Sequence, residues 1–123
     1  MSAHHYLLIA GNNTLVNAMV SAALGSDDEL STVHDPLEAV RLLESAQPDA
    51  VLWALDPSDE EAIVGCRTLR RHSHAPIVML VSAAAKENIL RGYRLGADAH
   101  IPIPCDRREF SARVKAVLRR QSL

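Results

Sequence analysis

Short apolar runs alternate with longer amphipathic stretches along the chain, and the period of each predicts its element. "YLLIA" (6–10) is continuous and apolar, which predicts a buried strand. "TLVNAMVSAAL" (14–24) follows, with Leu15, Val16, Met19, Val20 and Ala23 recurring at helical spacing, and predicts a helix with those five residues turned inward. "ELSTVH" reads as a weaker second strand. The helix "DPLEAVRLLESA" has a well-specified start, with Asp35 at the N-cap, Pro36 at N1 and Glu38 at N3 of a capping box. "AVLWAL" (50–55) is the third strand, and a helix from about Ser58 follows it, with Glu61 closing a second box and Ile63, Val64 and Leu69 on its apolar side. "PIVMLV" (76–81) is the fourth strand. A helix around Lys86 to Leu95 stops at Gly96, and "AHIPI" gives the fifth strand. The last helix, "DRREFSARVKAVLRR", is capped by Asp106 and Glu109 and turns Phe110, Val114, Val117 and Leu118 inward.

Five strand and helix pairs with connections this short require parallel strands and right-handed crossovers, which place helices on both faces of one sheet. The expected fold is therefore α/β, a doubly wound five-stranded parallel sheet. A chain of 123 residues holds one such domain, over residues 1–120, with a linker beginning at 121–123. Ligands and chemistry in these sheets collect beyond the carboxyl ends of the strands. The rim to inspect is thus Gly11 to Asn13, Ala54 to Asp56, Val81 with Ser82, and Ile103 to Cys105.

Composition narrows the class. Hydrophobic residues at 48% and charged residues at 23% fit a soluble globular domain. Cys66 and Cys105 are too few for a disulfide framework and form no C-x-x-C pair, and the N-terminal run lacks a basic segment and a cleavage-type site. A cytoplasmic protein with no membrane segment is expected. The net charge of −2 is uneven, because residues 106–123 carry +4 and the remainder −6. That basic tail could serve nucleic acid or an acidic partner surface, but a solvated outer face of the last helix is the preferred reading, and a basic face alone does not establish DNA binding. "AGNNT" leads from a strand into a helix but has one glycine, short of any phosphate-binding fingerprint. His4 and His5, expected at a frayed end, and His72 and His74 in a loop have no metal-ligand spacing.

The element order, with "PDAVLW", "PIVMLVSA" and "LGADAHIPIPCDRREFSARVKAVLRRQ", resembles a response-regulator receiver domain. The last stretch is similar to the OmpR/PhoB class, whose members carry a winged-helix DNA-binding domain after the receiver. The resemblance implies a flavodoxin-like, CheY-like strand order, 2-1-3-4-5. It also implies where phosphotransfer chemistry would sit: an acidic pair for Mg²⁺ at Gly11 and Asn12, the nucleophilic aspartate at Ala54, the hydroxyl at Val81 and the lysine at Ile103. Each role has a chemical requirement. Mg²⁺ takes carboxylate oxygens, a carboxylate must attack phosphorus, and the hydroxyl and ammonium hold the transferred charge. All five positions carry the wrong residue, so the expectation is an atypical pseudo-receiver with no catalytic residue, metal or cofactor, and no enzyme activity. Asp56 is the rival acceptor, and its other role is that of a turn residue before Pro57.

The same resemblance implies a homodimer through helix 4, strand 5 and helix 5, with Leu90, Tyr93 and Ala112 as its apolar centre and Asp98 pairing with Arg120 across the two-fold axis. Two further family ion pairs lose a partner, since Ile89 stands opposite Glu109 and Ala99 opposite Arg113. His100 takes the place of a swinging aromatic residue and is expected half-buried, with a structural role or a pH-switching one. Cys105 is expected as a small buried thiol. Ile103-Pro104 is expected to be cis, with Pro104 in the place of the family's cis-proline. The function implied is a phosphorylation-independent signalling domain working through protein contact or dimerisation, the N-terminal part of a transcriptional regulator that reaches DNA only through a downstream domain. The alternatives are an acceptor working through Asp56, a free-standing protein-binding adaptor, or an enzyme or small-ligand-binding domain on the same architecture.

Overall fold

The computed structural model describes residues 4–10, 13–54, 60–82 and 86–121. Its elements are β1 (His5–Ile9), α1 (Thr14–Ala23), β2 (Glu29–Val33), α2 (Pro36–Leu43), β3 (Ala50–Trp53), α3 (Glu60–His72), β4 (Ile77–Ser82), α4 (Lys86–Arg94), β5 (Ala99–Ile103) and α5 (Arg107–Gln121). Every strand pairing is parallel, and the order is β2-β1-β3-β4-β5, the doubly wound arrangement expected from the alternation of runs.

Side chains of successive strand residues point to opposite faces, so each central strand feeds two cores. Tyr6, Leu8, Leu52, Val78, Leu80 and Ile101 meet Val16 and Val20 of α1 and Phe110, Val114 and Val117 of α5. Leu7, Ile9, Val51, Trp53 and Ile77 meet Ala39 and Leu43 of α2 and Cys66 and Leu69 of α3. β1, β3 and β4 are nearly continuous apolar runs because both of their faces are covered.

The helix ends follow local chemistry. Asp35 caps α2 by accepting the Glu38 N–H at 3.0 Å, while the Glu38 carboxylate returns to the His34 N–H at 2.8 Å, one residue before the cap where a standard box would close. α4 ends in a Schellman motif: the Gly96 N–H reaches the Tyr93 carbonyl, the Ala97 N–H reaches the Gly92 carbonyl, and Gly96 takes φ +112°, which a side chain would resist. The box expected at Ser58 and Glu61 lies outside the described residues. Asp106 caps α5 through the Arg108 N–H at 2.7 Å, but Glu109 pairs forward with Arg113 at 3.1 Å and takes no part in the cap.

Two expected inward residues point outward. Leu15 of α1 is 82% exposed and Val64 of α3 64% exposed. On α3 the buried positions are Gly65, Cys66 and Leu69, because that face is pressed so close to α2 that a Cβ on Gly65 would overlap the Pro36 ring. His4 and His5 are not frayed either. The His4 N–H donates to Asp28, the His5 N–H to Asp49, and His5 Nε2 lies 2.8 Å from the Ser31 hydroxyl.

Tyr6 carries a pH consequence. Its side chain is 3% exposed, and burial, reinforced by Asp28 and Asp49, pushes its pKa up to about 12. The folded state therefore favours the neutral phenol. Between about pH 10 and 12 the unfolded chain gives up this proton first, so the contribution is full below pH 10 and is lost as pH rises through the folded value, a fall of about 2–3 kcal/mol. Urea denaturation at several alkaline pH values should show this fall in the unsubstituted chain, superposed on other titrations, and a flatter profile in Tyr6→Phe. Parallel profiles would refute it.

Candidate functional site

The carboxyl ends of β3, β4 and β5 form the described part of the sheet rim. β1 and β3 run in register as far as Ile9↔Trp53, after which the Ala54 N–H donates to the Ile9 carbonyl at 2.9 Å and ends the ladder. Ala54 is half-buried against the α1/α5 core. Val81 is buried at the end of β4, in register with Pro102, and Ile103 lies opposite Ser82 and packs on the same core as Ala54. The expected site residues Ala54, Val81 and Ile103 thus sit at neighbouring strand ends and present a methyl group and two branched alkyl chains. Such a surface supplies no nucleophile, no metal ligand and no polar stabiliser of a phosphoryl group.

Gly11 and Asn12, expected in place of the acidic pair, and Asp56, the rival acceptor, lie outside the described residues. Next to the first two, Asn13 is the N-cap of α1: its side-chain oxygen accepts the Val16 N–H at 3.1 Å, and its own N–H donates to the Ala10 carbonyl at 3.0 Å. Among the described residues no three His, Cys, Asp or Glu side chains converge as metal ligands would. The Ile103-Pro104 bond is cis, as expected for Pro104. Cys105 beside it is half-buried rather than buried, packed against the edge of the α1/α5 core, and burial with nearby Glu109 raises its pKa. Cys66 is buried, and its thiol lies 3.4 Å from the Leu95 carbonyl.

A second group of expected residues lies on α4, β5 and α5. On α4, Leu90 is 56% and Tyr93 39% exposed, one helical turn apart, with Ile89 half-buried beside them. His100 is half-buried, as expected, and its Nδ1 lies 2.6 Å from the Tyr93 hydroxyl with the two rings edge to face at 88°. Burial raises the Tyr93 phenol pKa, against the opposing pull of Arg120 and of the His100 backbone. Ala112, Arg113 and Arg120 are exposed on α5.

The charges of this face are arranged differently from the expected pairing. Asp98 is engaged within its own chain: its Oδ2 accepts the Ile77 N–H at 2.8 Å and an Arg70 guanidinium N–H at 3.0 Å. Glu109 and Arg113, each without its family partner, pair with one another at 3.1 Å along α5. The second is an i,i+4 pair that helix spacing permits, but the first is not visible from local spacing. Arg70 is 28 residues from Asp98, and only the packing of α3 beside the start of β4 brings them together.

No family model matches this chain. It is 31% identical over 114 residues to the DNA-binding response regulator MtrA of Mycobacterium tuberculosis, covering 93% of this chain and 50% of that protein. The same identity and span hold for MtrA of Mycobacterium leprae. The chain spans about half the length of the curated relatives it matches. Its fold is similar to that of a putative response regulator from Chloroflexus aurantiacus, with a TM-score of 0.82 at 24% identity over 95% of this chain and 98% of the other. The receiver domain of the response regulator TorR gives a TM-score of 0.80 at 21% identity over 95% and 98%. The sheet order and these likenesses agree: the chain has the doubly wound fold of response-regulator receiver domains.

Proposed function

We propose that this chain is a receiver domain that signals without an aspartyl phosphate, by protein contact through α4, β5 and α5, as the N-terminal part of a cytoplasmic transcriptional regulator whose DNA contact belongs to a following domain. The observation that carries the first part is the apolar rim: Ala54, Val81 and Ile103 stand where the resemblance requires a nucleophile, a hydroxyl and an ammonium. These groups work as a set, since a lone lysine or aspartate at such a rim is a poorly compensated charge. Their joint replacement is what a domain relieved of phosphotransfer would carry. The second part is supported by the exposed pair Leu90 and Tyr93 and by similarity to proteins described as DNA-binding response regulators.

Without a phosphoryl group to draw a hydroxyl inward, the end of β4 is held by Val81 packing, and the domain stays near one conformation. Acetyl phosphate with Mg²⁺ is therefore expected to produce no phosphoryl-sized mass gain in intact mass spectrometry, and beryllofluoride with Mg²⁺ no change in the amide NMR spectrum. A mass gain that disappears in Asp56→Asn, or Mg²⁺-dependent shifts centred on residues 11–13, would overturn the reading and make Asp56 the acceptor.

A further inference from the structure

Between the end of α1 and one side of α5 lies a cleft of about 550 Å³. Arg107, Arg108, Lys115 and Arg119 line its α5 wall, Ala22, Ala23 and Leu24 stand opposite, and no Asp or Glu is among the described residues that line it. The spacing of Arg108, Ser111, Lys115 and Arg119 places them on one face of the helix. No ion pair among the described residues engages Arg107, Arg108 or Lys115.

Helix electrostatics does not account for this placement. Arg107 and Arg108 occupy the first turn of α5, where the positive end of the helix dipole favours anions and opposes cations. The carboxylates at that end are committed within the helix, Asp106 to the Arg108 N–H and Glu109 to the Arg113 guanidinium, and neither pairs with the Arg107 or Arg108 side chain. Cations set against the local rule and outside any ion pair among the described residues mark a surface shaped for something outside the domain.

The chemistry of the cleft selects the partner. A protein interface needs large apolar groups at its centre, and none of the exposed large hydrophobics lines this cleft; its one large apolar residue, Leu24, is half-buried against the domain's own core. A polyanion needs only the cations. From Arg107 to Arg119 the helix rises about 18 Å, the axial length of roughly five phosphates on one strand of a duplex. We propose that this α5 face binds the phosphate backbone of duplex DNA without base readout, so that the receiver itself adds to DNA affinity. This goes beyond the reading above, in which DNA contact belongs to a following domain, and it is tested on the 123-residue chain alone, so its failure leaves that reading standing.

Fluorescence anisotropy with a short labelled duplex of arbitrary sequence, over about 20 to 200 mM salt, reads the interaction directly. In Arg108→Gln/Lys115→Gln, binding at low salt is expected to weaken by about tenfold or more, and the slope of log K against log salt to become shallower by about two. Arg67→Gln/Arg71→Gln makes the same charge change on α3, across the sheet, and is expected to stay within about twofold of the unsubstituted chain with its salt slope unchanged. Loss of binding equal in the two variants, no binding at the lowest salt, or polyglutamate of matched charge binding more tightly than the duplex would overturn the proposal, the last in favour of an acidic protein.

Discussion

Replacing Phe110 by alanine is expected to destabilise the domain by about 3–5 kcal/mol, a large share of the roughly 5–15 kcal/mol that holds a domain together. Phe110 is 0% exposed, the largest of the fully buried side chains, and it stands in the first turn of α5 among Leu8, Val20, Leu52, Ile101 and Val114. Truncation removes the apolar burial and leaves a cavity that β1, β3 and β5 cannot close, since the other face of each is committed to the second core or to solvent. The loss should appear as a fall in the urea midpoint of about 2 M at constant slope. Phe110→Leu, which keeps most of the volume, should cost less than half as much. A loss below about 1 kcal/mol in Phe110→Ala would mean that α5 is not anchored by this residue. Because α5 carries both the basic cleft and part of the α4-β5-α5 face, its anchoring bears on both proposals.

The fold was legible in the sequence because its rules are local. Five apolar runs, the Asp35 cap, the Gly96 stop and the Phe110, Val114, Val117 stripe each depend on residues within a turn or two of one another. The misreadings have a common origin in neighbours far along the chain. Periodicity predicts an apolar stripe on a helix but not how wide a strip the rest of the protein covers, which leaves Leu15 and Val64 outside. Hydrophobicity gives a glycine no weight, yet Gly65 sets the inward face of α3, because only there does the missing side chain admit Pro36, with Trp53 next to it at 3.5 Å from the missing Cβ. Asp98 read alone is an available carboxylate, and only the fold supplies Arg70. At the rim the positions of Ala54, Val81 and Ile103 followed from the strand ends, but their significance came from the resemblance, since a methyl group at a strand end advertises no lost chemistry.

Tyr93→Asp is expected to convert a symmetric dimer into a monomer. In a two-fold interface every contact occurs twice, so Leu90 and Tyr93, exposed on α4, would together offer four apolar groups to one small centre. Burying such a side chain contributes about 1.5–3 kcal/mol, whereas the ion pairs around it contribute at most about 1 kcal/mol each. The apolar pair therefore decides the association. The charges at its edge are already satisfied within the chain, Asp98 by Arg70 and Glu109 by Arg113, so Arg120 has to compete with Arg70 for Asp98 if the cross-axis pair is to form. A carboxylate at position 93 removes two aromatic groups and places two like charges near the axis, which should weaken association by about 100-fold or more. Light scattering over a concentration series should show the mass of Tyr93→Asp falling to that of one chain. Leu90→Asp should do the same without touching the hydrogen bond to His100, which separates a lost interface from a disturbed β5. Val64→Asp adds the same charge at a more exposed apolar site on α3 and should leave the mass unchanged. A chain that remains monomeric at high concentration, or a dimer that tolerates both α4 substitutions, would remove α4 from the interface and leave the output of this domain to another face.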